Sequence, residues 1–155
     1  MTKKSVRVID CHIAIRSDQG IRYLILKRST NVKYPDHWQC VTGKINDSER
    51  PYHAAIREVV EETGLKPERL WTVDTVNFFY EHTTDEINIV PVFGMLVSDD
   101  TITLSHEHSE YCWCTIGQAT SMLVWNKQIE GIIEFDRMLK EKTKKNQFLE
   151  ISIAN

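Results

Sequence analysis

The chain has 155 residues, 41% of them hydrophobic and 26% charged, with a formal net charge of −3 and a pI near 6.1. A chain of this length can bury a core as one domain, residues 1–155, without disulfides or a structural metal. Its charge balance excludes the basic footprint that polymeric nucleic acid or an anionic membrane selects.

The cysteines Cys11, Cys40, Cys112 and Cys114 form no CxxC pair and show no disulfide spacing, so they read as reduced. Lys3, Lys4 and Arg7 are followed by no apolar signal segment, and no stretch approaches a membrane-spanning length. A cytoplasmic protein is expected.

In chain order, Val6, Val8, Ile13 and Ile15 predict a first strand, and Tyr23 to Leu26 a second after the Ser17-Asp18-Gln19-Gly20 turn. Pro35-Asp36 interrupts the chain before a short apolar stretch, Trp38 to Val41, that ends at Gly43. Then the period changes. Tyr52, Ala55, Ile56 and Val59 follow the three-and-four spacing of a buried helix stripe, Pro51 is tolerated in the first turn, and Gly64 supplies the stop. Further strands are predicted at Trp71 to Tyr80, Ile87 to Val97 and Tyr111 to Cys114, and a long amphipathic helix at Asn126 to Lys145, whose lysines Lys140, Lys142, Lys144 and Lys145 read as a solvated face. This order predicts an α+β fold, helices packed on a mixed β-sheet.

The helix from Tyr52 to Thr63 has a second face carrying Glu58, Glu61 and Glu62, three and four residues apart. Like charges at that spacing repel by some tenths of a kcal/mol per pair. A solvated face near Arg57 and Lys44 would tolerate them. Converging carboxylates also supply the hard oxygen ligands that Mg²⁺ or Mn²⁺ prefers, and a cation relieves their repulsion. Such an ion suits hydrolysis of a phosphoanhydride.

Gly43, five residues, Glu49, seven residues, Arg57-Glu58-Val59, one residue, Glu61-Glu62, one residue and Gly64-Leu65 resemble the Nudix box without a departure. The fixed identities together would match by chance in about one window per 10⁹. The resemblance covers residues 43–65. It implies the Nudix fold, a mixed sheet sandwiched between α-helices with the box as a loop-helix-loop, and the activity of a metal-dependent pyrophosphohydrolase. It makes Glu58, Glu61 and Glu62 metal ligands or base candidates and Gly43 a backbone contributor to the metal site. Arg57 would orient a glutamate, and Glu49 would support the loop. Many members add a carboxylate from a distant loop, which places Glu107, in His106-Glu107-His108, among the catalytic and metal-binding candidates, with Glu110 in reserve. The flanking histidines read as solvated.

Trp38-Gln39-Cys40-Val41-Thr42-Gly43, Glu107-His108 and Trp125-Asn126-Lys127 resemble the bacterial branch that hydrolyses dATP and dihydroneopterin triphosphate. That likeness makes Arg28, Thr42 and Lys44 candidate substrate contacts, with Arg28 suited to a bidentate grip on phosphate. This chain departs from the branch at Ser29, where a further arginine is common. Phe78, Phe79, Tyr80 and Trp125 could stack on a base or pterin ring, although aromatics in strands are more often core. The expected substrate is a nucleoside triphosphate such as dATP, cleaved to monophosphate and pyrophosphate. A dinucleoside polyphosphate hydrolase is the alternative, because Tyr80 resembles a tyrosine some of those enzymes carry. A nucleotide-sensing domain without turnover is a third reading.

Overall fold

The computed structural model describes residues 1–153. Its elements are β1 (Lys3–Ser5), β2 (Val8–Ser17), β3 (Gly20–Arg28), β4 (Trp38–Gln39), β5 (Val41–Lys44), α1 (Pro51–Thr63), β6 (Arg69–Glu81), β7 (Glu86–Val97), β8 (His108–Cys114), α2 (Ile116–Met122), α3 (Asn126–Lys140), α4 (Lys144–Leu149) and β9 (Glu150–Ile151). The strands form one mixed sheet, with the path β4-β3-β2-β7-β6-β9 and with β1, β5 and β8 joined to β7, β2 and β3. The pairs β2·β7 and β1·β7 are parallel and the rest antiparallel.

Alternation along β2 decides the layering, because successive side chains of a strand point to opposite faces. Ile9, Cys11 and Ile13 join Leu24, Leu26, Phe93 and Met95 under Ala54, Ala55 and Val59 of α1. Ala14 joins Tyr23, Ile25, Val92 and Leu96 under Ile132, Phe135 and Met138 of α3 and Ala119 of α2. Each large apolar side chain so buried contributes about 1.5–3 kcal/mol. The predicted sheet between helices is present.

Helix α3 sits close to the sheet because two facing positions lack a side chain. A Cβ on Gly94 would stand 2.3 Å from the Phe135 ring, and one on Gly131 would stand 2.6 Å from His12 Nε2. His12 is buried there with neither ring nitrogen partnered, and burial pushes its pKa down to about 3. It packs as a neutral ring.

Two predicted elements divide, and one helix was not predicted. The Trp38–Val41 stretch divides at Cys40, so that β4 pairs with β3 and β5 pairs with β2. The backbone N–H of Cys40 donates instead to Gln128 Oε1 at 3.1 Å. The predicted helix from Asn126 to Lys145 ends at Lys140, because Glu141 is extended. Asn146 Nδ2 donates to the carbonyls of Met138 and Glu141, and Thr143 caps the separate helix α4. Residues 140–147 carry no apolar side chain and no glycine or proline, so the pattern offers no local stop signal there. The short helix α2 went unpredicted although Thr115 and Gln118 form a capping box that its sequence displays.

No helix among the described residues is long and apolar enough to cross a membrane.

Candidate active site

The loop from β5 into α1 is organised around one guanidinium. Arg57 Nε donates to Glu49 Oε2 at 2.9 Å and Nη2 donates to Glu49 Oε1, also at 2.9 Å, a bidentate fork. The same Nη2 donates to the Lys44 carbonyl at 2.7 Å, while Nη1 donates to Glu58 Oε1 at 2.8 Å and Glu61 Oε2 at 3.3 Å. Glu49 in turn accepts the Asn46 backbone N–H at 3.0 Å. These bonds, Arg57 first, hold the Glu49 carboxyl down at about 2. One side chain thus fixes the loop, the end of β5 and two glutamates.

Glu58 lies against the backbone of Gly43. A Cβ at Gly43 would stand 2.1 Å from Glu58 Cδ and 2.4 Å from its Oε2, so only glycine leaves room for this carboxylate. Burial raises the Glu58 pKa, and Arg57 opposes the rise without cancelling it. Gly64, at φ 77°, ends the helix in the left-handed conformation that glycine takes without strain.

Glu62 turns to a different set of partners. Its Oε2 accepts from Ser105 Oγ at 2.5 Å and stands 2.9 Å from His108 Nδ1. Burial pushes its pKa up, but these partners outweigh burial and bring it below the usual glutamate value. The backbone N–H of Glu107 donates to the same Ser105 Oγ at 3.3 Å. Its loop is pinned to the end of β3, where Ser29 N donates to the Glu107 carbonyl and Ser29 Oγ to the His106 carbonyl, both at 2.8 Å. The position where the sequence departs from the bacterial branch therefore serves as a loop anchor.

The structure corrects the reading of His108 as solvated: it is 4% exposed and its Nε2 stands 3.2 Å from Gln39 Nε2. His106 is exposed, as expected. Glu110 is exposed and paired with Lys27 at 3.0 Å on β8. Arg28 donates through Nε to the Lys33 carbonyl at 2.6 Å. Thr42 stands opposite Asp10 in the β2·β5 pairing, and the Lys44 side chain is exposed beside Gly43. Phe78, Phe79, Tyr80 and Trp125 are 55%, 46%, 56% and 40% exposed, which overturns the expectation of core aromatics. Phe78, Phe79 and Tyr80 lie on the part of β6 beyond its short pairing with β9, and Trp125 lies just before α3.

Sequence reasoning passed over Ser105 and Asp10 and gave His108 and Gln39 no role in the site. A histidine next to Glu107 was visible, but its burial depends on Glu62 and Gln39, distant in sequence, meeting its ring. Asp10 was masked by its hydrophobic strand. It is 2% exposed, accepts from Asn77 Nδ2 at 2.7 Å, and burial pushes its pKa up to about 6.

The glutamates therefore form two groups, Glu58 with Glu61 on Arg57, and Glu62 with Glu107 by Ser105 and His108. Among the described residues no three His, Cys, Asp or Glu side chains converge closely enough to hold an ion. The donor set nonetheless fits an oxygen-seeking divalent cation chemically. It is made of carboxylates, one of them seated in a cradle that a Cβ would fill.

Residues 6–134 match the NUDIX domain family. The chain belongs to the Nudix family. Its Nudix box is the loop and helix described above. The chain is 31% identical over 101 residues to a bis(5'-nucleosyl)-tetraphosphatase (asymmetrical) of Caenorhabditis elegans, covering 64% of this chain and 71% of the relative. It is 28% identical over 139 residues to a dihydroneopterin triphosphate diphosphatase of Haemophilus influenzae, covering 79% and 84%. Among solved structures, a NUDIX hydrolase of Listeria monocytogenes superposes with a TM-score of 0.73 at 23% identity, covering 86% of this chain and 93% of that one. Family and relatives together identify a pyrophosphohydrolase.

Proposed function

We propose that this Nudix enzyme, acting as a single domain, hydrolyses a phosphoanhydride in a nucleoside diphosphate-X compound, with a nucleoside triphosphate such as dATP cleaved to monophosphate and pyrophosphate. The observation that carries this reading is the Arg57 hub, which holds Glu49, Glu58 and Glu61 on one guanidinium beside Gly43. A binding-only domain has no chemical need for such an arrangement.

Glu58, Glu61, Glu62 and Glu107, with the Gly43 carbonyl, would hold Mg²⁺ or Mn²⁺. Such an ion, when bound, supplies a water of lowered pKa and neutralises charge developing on phosphate oxygens. The chain's own part is positional. Arg57 fixes the loop and Glu58 against the end of β5. Glu107 enters from a loop anchored on Ser29. Arg28, Thr42 and Lys44 are the substrate-contact candidates, and the exposed Lys44 side chain offers a point charge for phosphate.

A dinucleoside polyphosphate is the second reading, supported by the tetraphosphatase relative and by Tyr80, whose ring is exposed while its hydroxyl donates to Asp85 at 2.9 Å. The deciding experiment presents dATP, the other nucleoside triphosphates, dihydroneopterin triphosphate, diadenosine tetraphosphate and ADP-ribose, each with Mg²⁺ and with EDTA, and resolves products by chromatography. Metal-dependent pyrophosphate release from a triphosphate supports the first reading. Preference for diadenosine tetraphosphate selects the second, and absence of turnover on the whole panel would favour a nucleotide-sensing domain.

A further inference from the structure

The contact between Glu62 and His108 is buried on both sides, with side chains 6% and 1% exposed. Both donors to Glu62, Ser105 Oγ and His108 Nδ1, converge on the same oxygen, Oε2. A carboxylate held through one oxygen by two donors cannot rotate freely, so Oε1 is left with a fixed direction. The far side of the imidazole is fixed as well, because Nε2 meets Gln39 on β4. His108 begins β8 opposite Arg28, beside the bulge in the β3·β8 pairing, which sets the ring between the helix and the sheet.

We infer that His108 is a positioning residue: it donates from Nδ1 to Glu62, is braced from behind by Gln39, and thereby presents Glu62 Oε1 in one orientation to the metal and phosphate. The inference rests on the proposed role of Glu62 as a ligand, and it assigns the setting of that ligand to three side chains outside the Nudix helix, Ser105, His108 and Gln39. Groups that orient ligating carboxylates by hydrogen bonds commonly change metal affinity or activity by about 10–100-fold when removed. Gln39 can meet Nε2 with either face of its amide, so the requirement is only that Nδ1 carry a hydrogen.

The two ring nitrogens can be imitated separately. In His108→Asn the shorter amide takes the place of Nδ1 and can donate to Glu62, whereas in His108→Gln the longer amide takes the place of Nε2 and meets Gln39 alone. The test titrates Mn²⁺ into each substrate-free protein and measures kcat and KM on the substrate that the wild type turns over. His108→Gln is expected to weaken Mn²⁺ binding and lower kcat by about 10–100-fold with a smaller change in KM, and His108→Asn to recover most of both. Equal loss in the two variants, or none in His108→Gln, assigns the ring to packing and overturns the inference. Nitrogen-resolved NMR of the wild type needs no variant to fold. A His108 hydrogen on Nδ1 supports the inference, and a ring protonated only on Nε2 ends it. If the wild type itself neither binds Mn²⁺ nor turns over any substrate, the proposed function fails first and the inference falls with it.

Discussion

Arg57 grips Glu49 through two N–H···O bonds of equal length, 2.9 Å each, and spends its remaining donors on the Lys44 carbonyl, Glu58 and Glu61. Its side chain is 26% exposed, so these bonds are shielded better than those of a surface pair. Lysine keeps the charge but loses the planar fork. Arg57→Lys should therefore lower kcat/KM by at least about tenfold and destabilise the fold by about 1–3 kcal/mol, read by steady-state kinetics and urea unfolding. Activity within twofold of wild type would show that charge alone suffices.

Gly43→Ala and Gly94→Ala should separate the site from the core. Each added methyl overlaps a neighbour, Glu58 in the first case and Phe135 in the second. Overpacking of this kind costs about 1–3 kcal/mol. Gly43→Ala should lose turnover under conditions where circular dichroism still reports a folded chain, because the methyl displaces a carboxylate of the site. Gly94→Ala should lose stability while the folded fraction keeps its kcat. If both behave alike in the two assays, Gly43 has no specific link to Glu58.

Glu61 is the most exposed of the helix glutamates held by Arg57, with 55% of its side chain accessible, so replacing it should cost little stability. Glu61→Gln should nonetheless nearly abolish turnover at saturating Mg²⁺, and EDTA should do the same to the wild type. A folded Glu61→Gln variant with wild-type kcat would remove Glu61 from the metal site.

Asp10 supplies a pH prediction. Its folded pKa of about 6 lies above the ordinary 3.8, because burial outweighs the hydrogen bond from Asn77. The folded chain thus keeps a proton that the unfolded chain has released. Stability from this group is present below 3.8, falls as pH rises through the interval to about 6, and stays lower beyond it. At about 1.4 kcal/mol per pKa unit the loss is about 3 kcal/mol. Asp10→Asn does not titrate, so its stability relative to wild type should improve by up to that amount across the interval. Chemical denaturation of both proteins at several pH values checks this, and a constant difference would mean that Asp10 titrates normally in the fold.

Much of this protein was legible in local pattern. Apolar stretches marked β2, β3, β6, β7 and β8, and the three-and-four stripe from Tyr52 to Val59 marked α1 between Pro51 and Gly64. Those signals survive folding because the central strands are buried on both faces and α1 turns one stripe to a core. The Arg57 hub was legible through the resemblance to the Nudix box, which implied that Arg57 orients a glutamate and that Glu49 supports the loop, while spacing by itself placed Glu58 and Glu61 on one helix face. The break between α3 and α4 escaped because it depends on Asn146 reaching back to the carbonyls of Met138 and Glu141, a competition that hydrophobic periodicity does not register.

By itself, then, the sequence determined the layers and the box, properties carried by residues close together along the chain. Only the tertiary structure decided that Glu62 leaves the Arg57 group for Ser105 and His108, that Ser29 anchors the Glu107 loop, and that Asp10 is buried beside Asn77. These contacts join residues 43, 46, 77 and 67 positions apart. At such separations the partner of a polar group is set by which strands lie side by side and by how much water the packed helices exclude, and neither is written in local spacing.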